Sequence, residues 1–151
     1  MRDDILLFES EILKEPYTIE GDLKVDLFIK STCNDTDFMV KLCDVYPDGR
    51  RMLILDSALT TRFRKGFFEE HFLTPGKEYN ITINLFATAY QFNKGHKIAV
   101  VITSSNYDRY AINPNNGGPI GTPYYSNSKI ARNTIITGPG KSCIYFPELK
   151  S

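Results

Sequence analysis

Between Leu23 and Ile29 every second residue is a large aliphatic: Leu23, Val25, Leu27 and Ile29, with Lys24 and Asp26 between them. The same period returns at Tyr79, Ile81, Ile83 and Leu85, separated by Asn80, Thr82 and Asn84. Successive side chains of an extended chain point to opposite faces, so each segment has one face for a core and one for water. A helix repeats its apolar positions every three or four residues and cannot use this spacing. No stretch of 11 or more residues reads as an amphipathic helix. The best helical candidate is a single turn over Phe86–Phe92.

Further strands are expected at Ile5–Glu9, Asp37–Val45, Arg50–Ser57, Lys97–Thr103 and Lys141–Phe146. Pro47-Asp48-Gly49 between two apolar runs predicts a hairpin, and Pro75-Gly76 and Lys94-Gly95 are further chain breakers. Many short strands punctuated in this way predict an all-β fold of two packed antiparallel sheets. The 151 residues make one domain, residues 1–151, of a size that buries roughly two-thirds of its unfolded surface. Ser104–Thr137 stands apart: it is rich in Asn, Pro, Gly, Ser and Tyr and includes Gly121-Thr-Pro-Tyr-Tyr. So long a loop in a compact domain marks function, an interface or mobility.

The chemistry is sparse. Lys plus Arg and Asp plus Glu both number 18, so there is no basic footprint, and neither nucleic acid nor a membrane is expected as a partner. Cys33, Cys43 and Cys143 are odd in number and lack metal-site spacing. Within or beside apolar strands they are expected to be inert buried thiols, which suits a reducing, cytoplasmic setting. The opening Met1-Arg-Asp-Asp-Ile carries acid where a signal peptide carries base. No serine lies in G-x-S-x-G, and His71 and His96 read as structural histidines, so no catalytic residues are expected. No cofactor or metal site is expected either. Asp35 and Asp37 resemble a calcium loop but read better as caps of a strand-entry turn. Gly138-Pro-Gly-Lys-Ser142 lacks the first glycine of a phosphate-binding loop and runs into a strand. Asn34 and Asn80 head glycosylation triplets that such chains carry often by chance.

Three blocks carry a more specific signal. Thr36 to Arg50 reads TDFMVKLCDVYPDGR, Tyr79 to Ile98 reads YNITINLFATAYQFNKGHKI, and Ile102-Thr-Ser-Ser-Asn-Tyr is followed by Arg109-Tyr and Asn113-Pro-Asn-Asn-Gly-Gly118. In that order they resemble the C-terminal domain shared by X-Pro dipeptidyl-peptidases, cocaine-esterase-like (CocE/NonD) enzymes and related acyl hydrolases, and the likeness runs from about Asp4 to about Pro147. Two positions depart from the family pattern: Ile112 stands where an arginine is expected, and Asp108 where a proline is.

The resemblance implies a jelly-roll β-sandwich similar to galactose-binding domains. It implies a non-catalytic accessory role, with the Ser-His-Asp triad on an α/β-hydrolase domain of the same polypeptide, absent from these residues. The parent is expected to be a serine peptidase or esterase. The domain would pack on its partner and shape the substrate cleft, with a homo-oligomer contact as a further expected role. Phe67 and Phe68 are the candidates for docking, and Tyr107, Arg109, Tyr110 and Asn113 for the cleft rim. The competing readings place the two phenylalanines in the core, or make the chain a stand-alone ligand- or carbohydrate-binding sandwich.

Overall fold

A computed structural model describes residues 4–121 and 127–147. Eight strands follow one another: β1 (Ile5–Glu9), β2 (Tyr17–Ser31), β3 (Asp37–Val45), β4 (Arg51–Thr60), β5 (Tyr79–Phe92), β6 (Lys97–Thr103), β7 (Asn133–Ile136) and β8 (Cys143–Tyr145). They form a β-sandwich of two antiparallel sheets, the first ordered β1-β6-β3-β4. In the second, β2 pairs with β5 along one side and with β7 and then β8 along the other. The only helical element among the described residues is a single 3-10 turn at Thr61–Phe63.

The two alternating segments deliver the core that their spacing predicts. Leu23, Val25, Leu27 and Ile29 of β2 and Ile81, Ile83 and Leu85 of β5 face inward and meet Phe38, Val40 and Leu42 of β3. β3 is buried on both faces: Cys43 and Val45 form a second, outer cluster with Ala99, Leu7 and Val101. A strand covered on both sides needs no alternation, which is why its sequence reads as a nearly continuous apolar run.

The hairpin at Pro47-Asp48-Gly49 joins β3 to β4. Gly49 sits at φ 86°, a left-handed conformation that favours glycine. The Tyr46 N–H donates to the Arg50 carbonyl, and the Arg50 N–H donates to Asp48 Oδ1. The register slips between Leu42 and Cys43, so Leu42 opposes Leu55 while Cys43 opposes Leu53. That bulge turns Leu53 to the outside, 52% exposed, while Leu42 stays fully buried.

Three expectations are corrected. Phe86–Phe92 is strand, not a helical turn, because it pairs residue for residue with Tyr17–Leu23. That partner half of β2 was hidden by Gly21, which leaves no side chain at the inward position between Ile19 and Leu23. Lys141–Phe146 contracts to Cys143–Tyr145. Ser104–Thr137 is not wholly loop, since β7 lies within it; its residues 122–126 lie outside the described residues. Ser142, from the glycine-rich turn, fills the gap between β7 and β8: its Oγ accepts the Phe28 N–H at 2.9 Å and donates to the Ile136 carbonyl at 2.7 Å.

Leu42→Ala should cost about 2–5 kcal/mol in urea unfolding, since it leaves a cavity in a packed core. Leu53→Ala should cost under about 1 kcal/mol, as an exposed position does. Equal losses would place the bulge elsewhere.

Candidate functional site

The irregular segments gather at the end of the sandwich where β3 begins and β4 ends, and a buried charge pair holds them there. Asp35 and Arg62 are 0% and 4% exposed. Arg62 Nε donates to Asp35 Oδ2 at 2.8 Å, and its Nη2 lies at the same distance. Nη1 donates to Glu70 Oε1 at 2.9 Å and to the Gly117 carbonyl at 3.2 Å, and Nη2 donates to the Gly118 carbonyl at 2.7 Å. Burial works against the guanidinium charge, but the hydrogen bonds to Glu70 and Asp35 outweigh it and hold Arg62 above its ordinary pKa. Asp35 is equally occupied. Its Oδ1 accepts from Thr61 Oγ1 and from the Arg62 N–H, and its Oδ2 also accepts from Asn113 Nδ2. It therefore does far more than cap a local turn.

Asn113 bridges two acids, donating to Asp35 at 2.9 Å and to Asp37 Oδ1 at 2.7 Å, and its own Oδ1 takes the Asn115 N–H. Burial raises the Asp37 pKa, against the lowering effect of the Asn113 hydrogen bond. Gly117 is wedged beside this network. A Cβ there would stand 3.0 Å from Asn34 Nδ2 and 3.1 Å from Phe72 Cε1, and the backbone is at φ 82°. Asn115 and Asn116 spend their amides on the Lys129 and Asn127 carbonyls, so this loop holds its own turns together.

The six candidate residues separate into an exposed set and a buried support. Phe67 is 84% exposed and Phe68 fully so, which removes them from the core. Phe67 still touches Phe63, with ring centroids 6.0 Å apart. Phe67 and Tyr110 line an open cleft of about 250 Å³ with Phe63, Met39, Ala58 and Ile120. Arg109 lies over the Tyr110 ring at 5.7 Å and donates through Nη2 to Asp56 Oδ1 at 2.8 Å. Tyr107 is exposed. Asn113 is 5% exposed and so is corrected from rim to interior: its amide is consumed by two carboxylates.

Sequence reasoning missed Arg62, the residue on which the whole arrangement turns. Asp35, Gly117 and Gly118 are 27 or more residues away in the chain, and nothing in Thr60-Thr-Arg-Phe-Arg distinguishes it.

The histidines take structural places. His96 Nδ1 meets both Asp44 oxygens at 2.8 and 3.0 Å, Tyr90 Oη donates to Asp44 at 2.9 Å, and the Tyr46 ring lies 4.4 Å from the imidazole. His71 is half-buried, with its N–H on the Arg62 carbonyl. Cys33 and Cys43 are buried, and burial pushes the Cys43 thiol up. Cys143 is exposed, a correction to the expected buried thiol, because β8 is a three-residue strand on the sheet edge. Among the described residues no three His, Cys, Asp or Glu side chains are grouped to hold a metal.

The family model for the X-Pro dipeptidyl-peptidase C-terminal non-catalytic domain matches residues 1–142. Cocaine esterase of Rhodococcus sp. (strain MB1 Bresler) is 36% identical over 150 residues, which is 99% of this chain and 26% of that enzyme. The crystal structure of an aminopeptidase from a marine sediment Thaumarchaeota archaeon superposes with a TM-score of 0.90 at 27% identity, covering 97% of this chain and 26% of that one. An α-amino acid ester hydrolase gives a TM-score of 0.89 at 28% identity with the same coverage. The chain thus spans about a quarter of the length of each relative.

Two outcomes are expected. Arg62→Ala should cost about 3–5 kcal/mol in urea unfolding, because it strands the Asp35 charge. For Asp37, a folded pKa raised above the unfolded value means that burial favours the protonated acid. Its stabilising contribution is complete below the ordinary aspartate pKa and drains away as pH rises through the folded value. Asp37→Asn should therefore gain stability relative to the parent chain as pH is raised from about 4 to 7. A difference independent of pH would show that Asp37 does not titrate in this way.

Proposed function

The chain belongs to the family of X-Pro dipeptidyl-peptidase C-terminal non-catalytic domains, and from that premise we propose that it packs on an α/β-hydrolase domain of the same polypeptide and forms part of the wall of its substrate cleft. The parent activity on this reading is serine-dependent hydrolysis of an acyl bond, ester or amide. The observation that carries the proposal is the aromatic cleft at the end of the sandwich. Phe67 and Phe68 extend from a segment anchored by Arg62. Exposed phenylalanines on a well-ordered support are what a docking surface requires, because the support removes the entropy cost of ordering them on contact.

Tyr110 lines the same cleft, and Arg109 lies over its ring and makes the rim amphipathic, while Tyr107 stands exposed three residues before Tyr110. An aromatic body with a polar tip suits a surface that meets protein on one side and substrate or water on the other. Asn113 belongs to the support. Free thiols, two of them buried, favour a cytoplasmic setting for the whole.

A second reading draws on a different place. Phe86 and Tyr145 flank a groove of about 530 Å³ together with Asp22, Lys24 and Asn84. Phe86 is 66% exposed and held at φ 66°, a left-handed conformation costly for a bulky residue. Two aromatic rings with polar groups between them suit a sugar, and saturable binding on a glycan array, lost in Phe86→Ala, would favour this reading.

In the complete polypeptide, Phe67→Ser with Phe68→Ser should lower kcat/KM for p-nitrophenyl esters or X-Pro anilides by about tenfold or more, as loss of cleft positioning does. In residues 1–151 alone the same pair should change stability by less than about 0.5 kcal/mol. Full activity in the double variant would sink the proposal.

A further inference from the structure

β1 has the sequence of a buried strand and the position of an edge strand. It reads Ile5-Leu6-Leu7-Phe8 and pairs only with β6. Leu7 joins the outer apolar cluster, while Leu6 and Phe8 turn toward the space between the sheets. Although inward, Leu6 and Phe8 are 42% and 41% exposed. The reason is that the sandwich gapes here. At its other side β4 lies against β5. On this side Phe8, Val100 and Ile102 face Val25, Leu27 and Ile135 across an apolar cleft of about 210 Å³.

The backbone of β1 is also one-sided. The Ser10 N–H donates to the Ile98 carbonyl and the Ile98 N–H donates to Ser10 Oγ, so Ser10 and Ile98 stand opposite each other at a hydrogen-bonding position. Such pairs alternate along an antiparallel ladder. Leu6 and Phe8 therefore bond to β6, and the N–H and C=O groups of Leu7 and Glu9 point away from it. No strand among the described residues pairs with that side. An apolar strand with an open edge is what soluble proteins cover, charge or shorten.

We propose that an extended apolar segment of the same polypeptide, from outside residues 1–151, adds to β1 as a further strand and lays alternate side chains into the cleft beside Phe8. The proposal rests on the reading above in one respect, that the chain is part of a longer polypeptide. The relatives leave ample chain for this, since about three-quarters of each lies outside the match. Strand addition fits the site on both counts that make it selective: an unpaired ladder gives the main-chain bonds, and a pocket on one face takes alternate side chains. A second copy of the domain is the competing occupant.

The test uses the complete polypeptide with the photoreactive p-benzoylphenylalanine in place of Phe8, irradiated and mapped by mass spectrometry, with hydrogen–deuterium exchange of β1 measured in parallel. The expected result is an intramolecular cross-link to a residue outside 1–151, with the amides of Leu7 and Glu9 exchanging about as slowly as those of Leu6 and Phe8, within about tenfold. A cross-link between two copies would overturn the proposal. So would Leu7 and Glu9 amides that exchange about 100-fold or more faster than their neighbours, as an open edge would. A reading frame that encodes nothing beyond these residues would overturn it as well. Hydrolysis of p-nitrophenyl butyrate by the same preparation separates the two readings: an inactive polypeptide with the expected cross-link would refute the hydrolase partner while leaving the strand addition standing.

Discussion

A guanidinium taken out of water must have its N–H groups met by acceptors, because the alternative is a buried charge with no solvent to answer it. Arg62 achieves this through Asp35, Glu70 and the Gly117 and Gly118 carbonyls. These partners come from the entry to β3, from the segment that follows the 3-10 turn and from the Asn-Pro-Asn loop. None of the three has a ladder to hold it. The pair is therefore less a source of net stability than a condition on geometry: the three segments converge, or the charge is stranded. The cleft of Phe67 and Tyr110 is assembled on the outside of that convergence and takes its shape from it. Gly117 enters the same account, since any side chain there would push against Asn34 and Phe72 and move the carbonyl that Arg62 needs.

How far the sequence disclosed this depended on the range of the interaction. The alternating halves of β2 and β5, the hairpin at Gly49 and the two-sheet class rest on local period and turn chemistry, and all were legible. β7 was not, because Asn133-Thr-Ile-Ile is too short to show a period and lies in polar surroundings. The Phe86–Phe92 half of β5 was not legible either, because the bulge opposite Leu23 shifts the pattern by one residue midway along the strand. At the site, the exposed aromatics and the long loop stood out as composition. The difference between Asn113 as rim and Asn113 as keystone did not. An asparagine has the same letter whether its amide meets water or two carboxylates 76 and 78 residues away.

The distribution of apolar side chains makes the sandwich two-faced. The outside of the β5-β2 sheet is mainly polar: Lys24, Asp26, Asn80, Thr82 and Asn84 stand there, with Thr82 Oγ1 bonded to Asp26 at 2.6 Å, and Phe86 and Tyr145 are its exposed aromatics. The β1-β6-β3-β4 sheet differs. Its outer side carries the cluster of Leu7, Cys43, Val45, Ala99 and Val101, with Leu53 next to it. Charged side chains border that patch, and Glu9 ties them together by accepting from Arg51 at 2.9 Å and from Lys97 at 3.1 Å. The hydrogen bonds from Arg51 and Lys97 lower the Glu9 pKa, so it remains charged through the neutral range. A polar rim around an apolar centre is the anatomy of a contact surface.

This sidedness relates the two places singled out above. The aromatic cleft lies on Met39 and Ala58, at the β3–β4 side of the first sheet. The open edge is β1, at the opposite side of the same sheet. A strand added to β1 and a body resting on Phe67 and Phe68 would thus engage one sheet from its two margins, with the apolar patch between them. The burial of both faces of β3 follows the same logic: the central strand of the sheet is apolar outward as well as inward because its outer side is not designed for water alone. A self-sufficient sandwich would show the polar outer pattern of the β5-β2 sheet on both sides. The apolar centre on the outer side of the other sheet is the physical sense in which it is an accessory domain.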